Sequence, residues 1–123
     1  MTRVLVVEDN PVNQFVALKQ LKALGCQGSA VSSGPEAVEA SKREVFDLIL
    51  MDCRLPGMDG FETTRAIRNA EQIGKRRRVP IVAVTVENDS EARDRCIAAG
   101  MDTHVPKPSS MNDLREMLER YIE

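Results

Sequence analysis

Residues 47–62 read DLILMDCRLPGMDGFE, and this stretch decides the fold. Leu48-Ile49-Leu50-Met51 is an unbroken apolar run, the pattern of a strand buried on both faces. Asp52 follows at once, and Asp59-Gly-Phe-Glu62 then has the spacing of a helix N-terminal capping box. The segment therefore predicts a buried strand, an acid at its carboxyl end, a short turn and a helix.

The same unit recurs on either side. Upstream, Val4-Leu5-Val6-Val7 is a β-branched run, and Asn10-Pro11 supplies an N-cap and a proline at the first helical position. That helix is expected to end near Gly25, a weaker strand to follow around Ala30-Val31, and Ser33-Gly34-Pro35 to open a second helix. Downstream, Ile81-Val82-Ala83-Val84 is a fourth strand and His104-Val105 a weak fifth. Ser110-Met-Asn-Asp113 resembles a capping box, ahead of a helix with Met111, Leu114, Leu118, Tyr121 and Ile122 on one stripe. Five alternations of this kind predict one α/β domain over residues 1–123, a doubly wound, five-stranded parallel sheet covered on both faces.

Composition excludes several classes. The 123 residues suffice for one core without disulfide or structural metal. A net charge of −2 gives no pull toward nucleic acid or anionic membrane, and no segment approaches the ~20 apolar residues of a membrane span. Met1-Thr2-Arg3 runs straight into the first strand, so no secretory leader is expected and the location is expected to be cytosolic. Cys26, Cys53 and Cys96 lack a C-x-x-C spacing and are expected to be reduced, mostly buried thiols. The basic run Lys75-Arg76-Arg77-Arg78 is expected to be a solvated loop.

In a doubly wound sheet, ligands sit beyond the carboxyl ends of the strands. Glu8 and Asp9 follow the first strand, Asp52 the third, Thr85 the fourth and Lys107 the fifth. Three crowded carboxylates repel one another unless a cation relieves them. Oxygen-only ligands suit Mg²⁺, which keeps several waters and awaits phosphate oxygens. A carboxylate beside such an ion can attack a phosphoryl group, with Lys107 supplying a charge for its oxygens and Thr85 a hydroxyl donor.

The strings VLVVEDNPVNQ (4–14), DLILMDCRLPGMDGFE (47–62) and PIVAVTVEN (80–88), with Lys107-Pro108, resemble the receiver domain of two-component response regulators over essentially the whole chain. The resemblance implies a flavodoxin-like strand order 2-1-3-4-5. It implies that Asp52 accepts the phosphoryl group and that Asp9, Asp52 and the backbone carbonyl of Arg54 bind Mg²⁺, with Glu8 acting through water. Thr85 would move to meet the phosphoryl group, Lys107 would pair with it, and the Lys107-Pro108 bond would be cis. Donors would be a histidine kinase, a histidine phosphotransfer domain or a small phosphodonor. The chain would be a monomer or a weak phosphorylation-dependent dimer, either free-standing or the attached receiver of a hybrid kinase. The fourth helix, fifth strand and last helix would form its output face.

Several positions depart from the family pattern. His104 stands where an aromatic switch residue is usual; the imidazole is expected to substitute as a smaller ring, and the alternative is a switch weakened at acid pH, a pH effect that His104→Tyr would abolish. Val86 replaces a small residue, and Arg54 and Glu87 are expected to face each other over the acceptor. Together they predict a longer-lived phosphoaspartate, shortened in a Val86→Ala, Arg54→Ala double variant. On the first helix, Ala17, Leu18, Leu21 and Leu24 are expected to face the sheet. Val12, Phe15 and Val16 lie roughly opposite and mark a candidate docking surface for the histidine-bearing partner.

Other classes fit less well. A haloacid-dehalogenase-type phosphatase needs a second acid at position 54, which is Arg. A flavodoxin-type electron carrier needs a phosphate loop after the first strand and aromatics about the flavin, whereas Glu8-Asp9-Asn10 would repel phosphate and tryptophan is absent. An unphosphorylated interaction module with this fold would typically lack the acceptor or one acid of the pair, and all are present.

Overall fold

The structure, a computed structural model, describes residues 1–86, 90–107 and 110–122. The elements are β1 (Arg3–Val7), α1 (Pro11–Ala23), β2 (Gln27–Val31), α2 (Gly34–Arg43), β3 (Leu48–Asp52), α3 (Gly60–Gly74), β4 (Ile81–Thr85), α4 (Ser90–Ala99), β5 (Thr103–Pro106) and α5 (Met111–Tyr121). The strands form one parallel sheet in the order β2-β1-β3-β4-β5, as the resemblance implies. The sequence order reverses at β1 and β3, whose carboxyl ends carry Glu8 and Asp52.

The two-residue period of a strand splits the apolar runs between two cores. Leu5, Val7, Ile49, Met51, Ile81 and Ala83 pack with Ala37, Ala40, Ile67 and Cys96, which come from α2, α3 and α4. Val4, Val6, Leu48, Leu50 and Val82 pack on the other side against Leu21 of α1 and Leu114 and Met117 of α5. All five residues of β3 are buried, as its unbroken apolar pattern predicts. The edge strand β2 is only partly buried, which explains its weak apolar signal.

Local chemistry fixes the helix starts. The Asn10 side chain accepts from the N–H groups of Val12 and Asn13, and that of Ser33 from Glu36 N–H. Asp59 accepts from Glu62 N–H, and Ser110 and Asp113 form a reciprocal capping box. Gly25, at φ +81°, turns the chain out of α1. The α5 stripe needs one adjustment: Met117 is buried with Leu114, while Leu118, Tyr121 and Ile122 are partly buried and Met111 lies outside this core. The three cysteines are free thiols, with Cys53 and Cys96 buried. Residues 75–78 are exposed, yet Arg76 donates to the Ser41 carbonyl, and Arg77 and Arg78 face Asp47 and Asp102.

Candidate functional site

Glu8, Asp9 and Asp52 each offer a carboxylate oxygen, and these oxygens lie within 4.8 Å of one another. Glu8 and Asp52 are buried, whereas Asp9 is exposed. Lys107 leaves β5 and places its Nζ 2.8 Å from Glu8 Oε1 and 2.9 Å from Asp52 Oδ2. Each acid is also held by backbone: Asn10 N–H donates to Glu8 Oε2 at 3.1 Å, and Arg54 N–H to Asp52 Oδ1 at 3.0 Å.

These contacts act unequally on the two buried acids. Burial raises the Asp52 carboxyl above the ordinary range; hydrogen bonds from Lys107 and the Arg54 N–H oppose the rise, and the Glu8 charge adds to it. Burial also works against ionised Glu8, but Lys107 and the Asn10 N–H outweigh it and hold Glu8 below its usual range. Lys107 is itself penalised by burial, and the two carboxylates more than compensate, keeping it charged to higher pH. The result is a net negative cleft, with one lysine shared between two of its three acids. An all-oxygen donor set on a rigid sheet edge fits a hard divalent cation that retains water ligands.

Residues 4–119 match the family model described as the response regulator receiver domain. The chain belongs to the response regulator receiver family. It is 34% identical over 148 aligned residues to a probable histidine kinase 1 of Oryza sativa subsp. indica, covering 98% of this chain and 15% of that protein. It thus spans less than a fifth of this relative's length. The receiver domain of sensor histidine kinase PA1611 of Pseudomonas aeruginosa, solved with a magnesium ion in its active-site cleft, is 43% identical. It superposes with a TM-score of 0.87, covering 98% of this chain and 97% of that one. The receiver domain of Ssk1 from Saccharomyces cerevisiae, crystallised with the histidine phosphotransfer protein Ypd1, gives a TM-score of 0.89 at 29% identity. That match covers 98% of this chain and 88% of that one.

In this receiver the structure brings Glu8, Asp9, Asp52 and Lys107 together, as the sequence predicts. Thr85 is buried at the end of β4, beside the Cys53 thiol, to which its side chain hydrogen-bonds. Arg54 is exposed and contributes its backbone N–H to Asp52; Val86 is exposed beyond Thr85. His104 is half-buried on β5, in register with Ala83. Val12, Phe15 and Val16 of α1 are 68%, 59% and 48% exposed, and Val16 also borders the space between α1 and α5. Glu87 and Pro108 lie outside the described residues, and with them the Arg54/Glu87 pairing and the geometry of the Lys107-Pro108 bond.

Three supporting features escaped the sequence reading. Gln14 Nε2 donates to the Glu8 and Val31 carbonyls at 2.6 and 3.3 Å, tying the ends of β1 and β2 together under the acidic pair. Gly60 packs so tightly that a Cβ there would lie 2.3 Å from the Asp52 carbonyl oxygen, so only glycine lets α3 start against the strand that carries Asp52. Cys53 meets Cys96 of α4, and burial together with that neighbour pushes its thiol up to about 12. None of these has a periodic signature; each depends on which loop lies against which.

Proposed function

We propose that this chain is the phosphoacceptor of a two-component phosphorelay, taking a phosphoryl group on Asp52 from a phosphohistidine in a histidine kinase or histidine phosphotransfer domain. The observation that carries the reading is the Lys107 ammonium bridging Glu8 and Asp52 within a three-carboxylate cluster. Mg²⁺ would be held by Asp9, Asp52 and the Arg54 carbonyl, with Glu8 acting through water, and would offset charge on the phosphoryl oxygens. The Asp52 carboxylate attacks phosphorus, an O–P bond forms, the P–N bond to the donor imidazole breaks, and the imidazole leaves with its electron pair. Lys107 exchanges its contact with Asp52 for one with a phosphoryl oxygen. Thr85, one strand away, offers its hydroxyl to the same group, and His104 on the neighbouring strand senses that shift.

The chain assists its own phosphoryl transfer and hydrolysis and turns over no other substrate. Among the described residues no helix is long and apolar enough to cross a membrane. Identity to a histidine kinase, of which this chain matches only a part, supports the receiver of a hybrid kinase as its context. Intact mass after incubation with acetyl phosphate and Mg²⁺ tests the assignment. Wild type should gain one phosphoryl group, and Asp52→Ala none. A phosphoryl group that survives the substitution would overturn the acceptor assignment; a wild type that gains none would leave an interaction module instead.

A further inference from the structure

Beneath the carboxylates, between α1, α5 and the sheet, lies a cavity of about 190 Å³. Its walls include Val6, Leu50 and Val84 from the strands, Ala17 and Val16 from α1 and Leu114 from α5; Glu8, Asp52 and Lys107 supply its charged groups. Ala17 contributes only a single methyl to the wall, so a larger side chain there would take up part of the space. An apolar space of ~150 Å³ accepts a benzene-sized guest, so this one fits a single ring with a short substituent. Mainly apolar walls with a few convergent polar groups are the general character of a small-ligand site.

The polar end selects the guest. Two carboxylates, Glu8 and Asp52, line this end and share the single Lys107 ammonium, which leaves one net negative charge where a head group would sit, with the exposed Asp9 carboxylate within 4.8 Å of both. An anionic head is repelled, a neutral one gains little, and a cationic one makes charge-assisted hydrogen bonds to Glu8 and Asp52. Asn13 and Gln20 of α1 line the same space and add amide groups near the entrance.

We propose that this cavity is a binding site for a small amphipathic cation, an organic amine or amidine whose apolar body rests against Ala17, Leu50 and Leu114 while its head meets Glu8 and Asp52. Such a ligand occupies carboxylates that a divalent cation also uses, so it opposes metal binding and phosphoryl acceptance. That consequence rests on the phosphoacceptor reading; the cavity site itself does not.

Methyl NMR of the metal-free protein, titrated with benzylamine, benzyl alcohol and benzoate, tests the proposal. Benzylamine should shift the methyls of Ala17, Leu50, Val84 and Leu114 and bind about tenfold tighter than benzyl alcohol, the scale of one charge-assisted contact. Benzoate should leave them unmoved. Ala17→Leu fills the space and should abolish the shifts, Ala17→Val should weaken binding, and Mg²⁺ should raise the apparent Kd of benzylamine. Absence of shifts at millimolar benzylamine, equal binding of benzoate, or affinity unchanged in both Ala17 variants would overturn the site. An apparent Kd indifferent to Mg²⁺ would overturn the competition. Acetyl phosphate labelling of Ala17→Val separates the two readings, since a weakened amine site leaves Asp52 able to accept phosphate.

Discussion

At the scale of single residues, Asp52 is a position where ionisation works against folding. Asp52 is buried beside Glu8, and its carboxyl is raised despite the Lys107 contact, so the ionised form is less favourable in the folded chain than in the unfolded one. A raised carboxyl binds its proton more tightly when folded. Its penalty is therefore absent below the unfolded carboxyl range and grows as pH rises through the folded value. Without divalent cations, Asp52→Asn should melt a few degrees higher than wild type at about pH 8, and the two should converge toward about pH 4. Lys107 keeps Glu8 as a partner in the variant, so the substitution strands no charge. Mg²⁺ should narrow the gap by stabilising wild type. Thermal melts across pH in EDTA check this; a variant less stable at high pH, or a gain equally large in acid, would contradict the burial argument.

Among the elements, α1 is the one whose sequence resists a simple amphipathic reading, because it is apolar on two sides. Leu21 is buried and Ala17, Leu18 and Leu24 pack beside it, while Val12, Phe15 and Val16 are exposed, Val16 at the edge of the space that Glu8 also lines. Lys19 lies 5.1 Å over the Phe15 ring, so the outward face combines an aromatic with a cation. We expect this face to seat the partner's histidine-bearing helix. Phe15→Ala should change stability by no more than ~0.5 kcal/mol, as at an ordinary surface position. It should slow phosphoryl transfer from a phosphorylated partner about tenfold, the effect of ~1.4 kcal/mol of lost docking energy, and leave labelling by acetyl phosphate unchanged. Equal loss from both donors would point to damage at Asp52 instead. The outward stripe was legible because exposure follows from helical spacing, as were the strand-end acids, since a parallel sheet sends every strand end to one rim. The Gln14 tie, the Cys53–Cys96 contact and the preference for Met117 over Met111 were not. They depend on how far each helix is rotated and on which loops meet, and periodicity alone carries neither.

For the molecule as a whole, chemistry gathers at one end of the sheet and cohesion at the other. Opposite the acidic cleft, Arg68 of α3 reaches into the start of β4 and the α4–β5 turn. It donates to the Gly100 carbonyl at 2.9 Å, the Val79 carbonyl at 2.7 Å, Glu71 at 2.9 Å and Asp102 at 3.1 Å. Asp102 also accepts from Ile81 N–H at 2.9 Å and from Arg78, and Glu71 accepts from Val79 N–H at 2.8 Å. One guanidinium thereby joins α3 to the starts of both later strands, and each acid also accepts from a backbone N–H, Asp102 from the first residue of β4 and Glu71 from Val79 just before it. Arg68, Glu71 and Asp102 side chains are only 14%, 12% and 16% exposed, so water screens them little. Removing one member of such a set strands a mostly buried charge and an N–H group, a loss of about 3 kcal/mol when the break is complete. Glu71 still faces Arg68, which places Asp102→Ala at roughly 2–3 kcal/mol and Asp102→Asn, which can still accept from Ile81 N–H, below that. Urea unfolding followed by far-UV circular dichroism should show a lower midpoint with an unchanged slope. The folded fraction of Asp102→Ala should still take phosphate from acetyl phosphate, because Asp102 lies at the opposite end of the sheet from Asp52. A midpoint equal to wild type would show the network to be ornamental, and loss of labelling in folded protein would show that the two ends of the sheet are coupled.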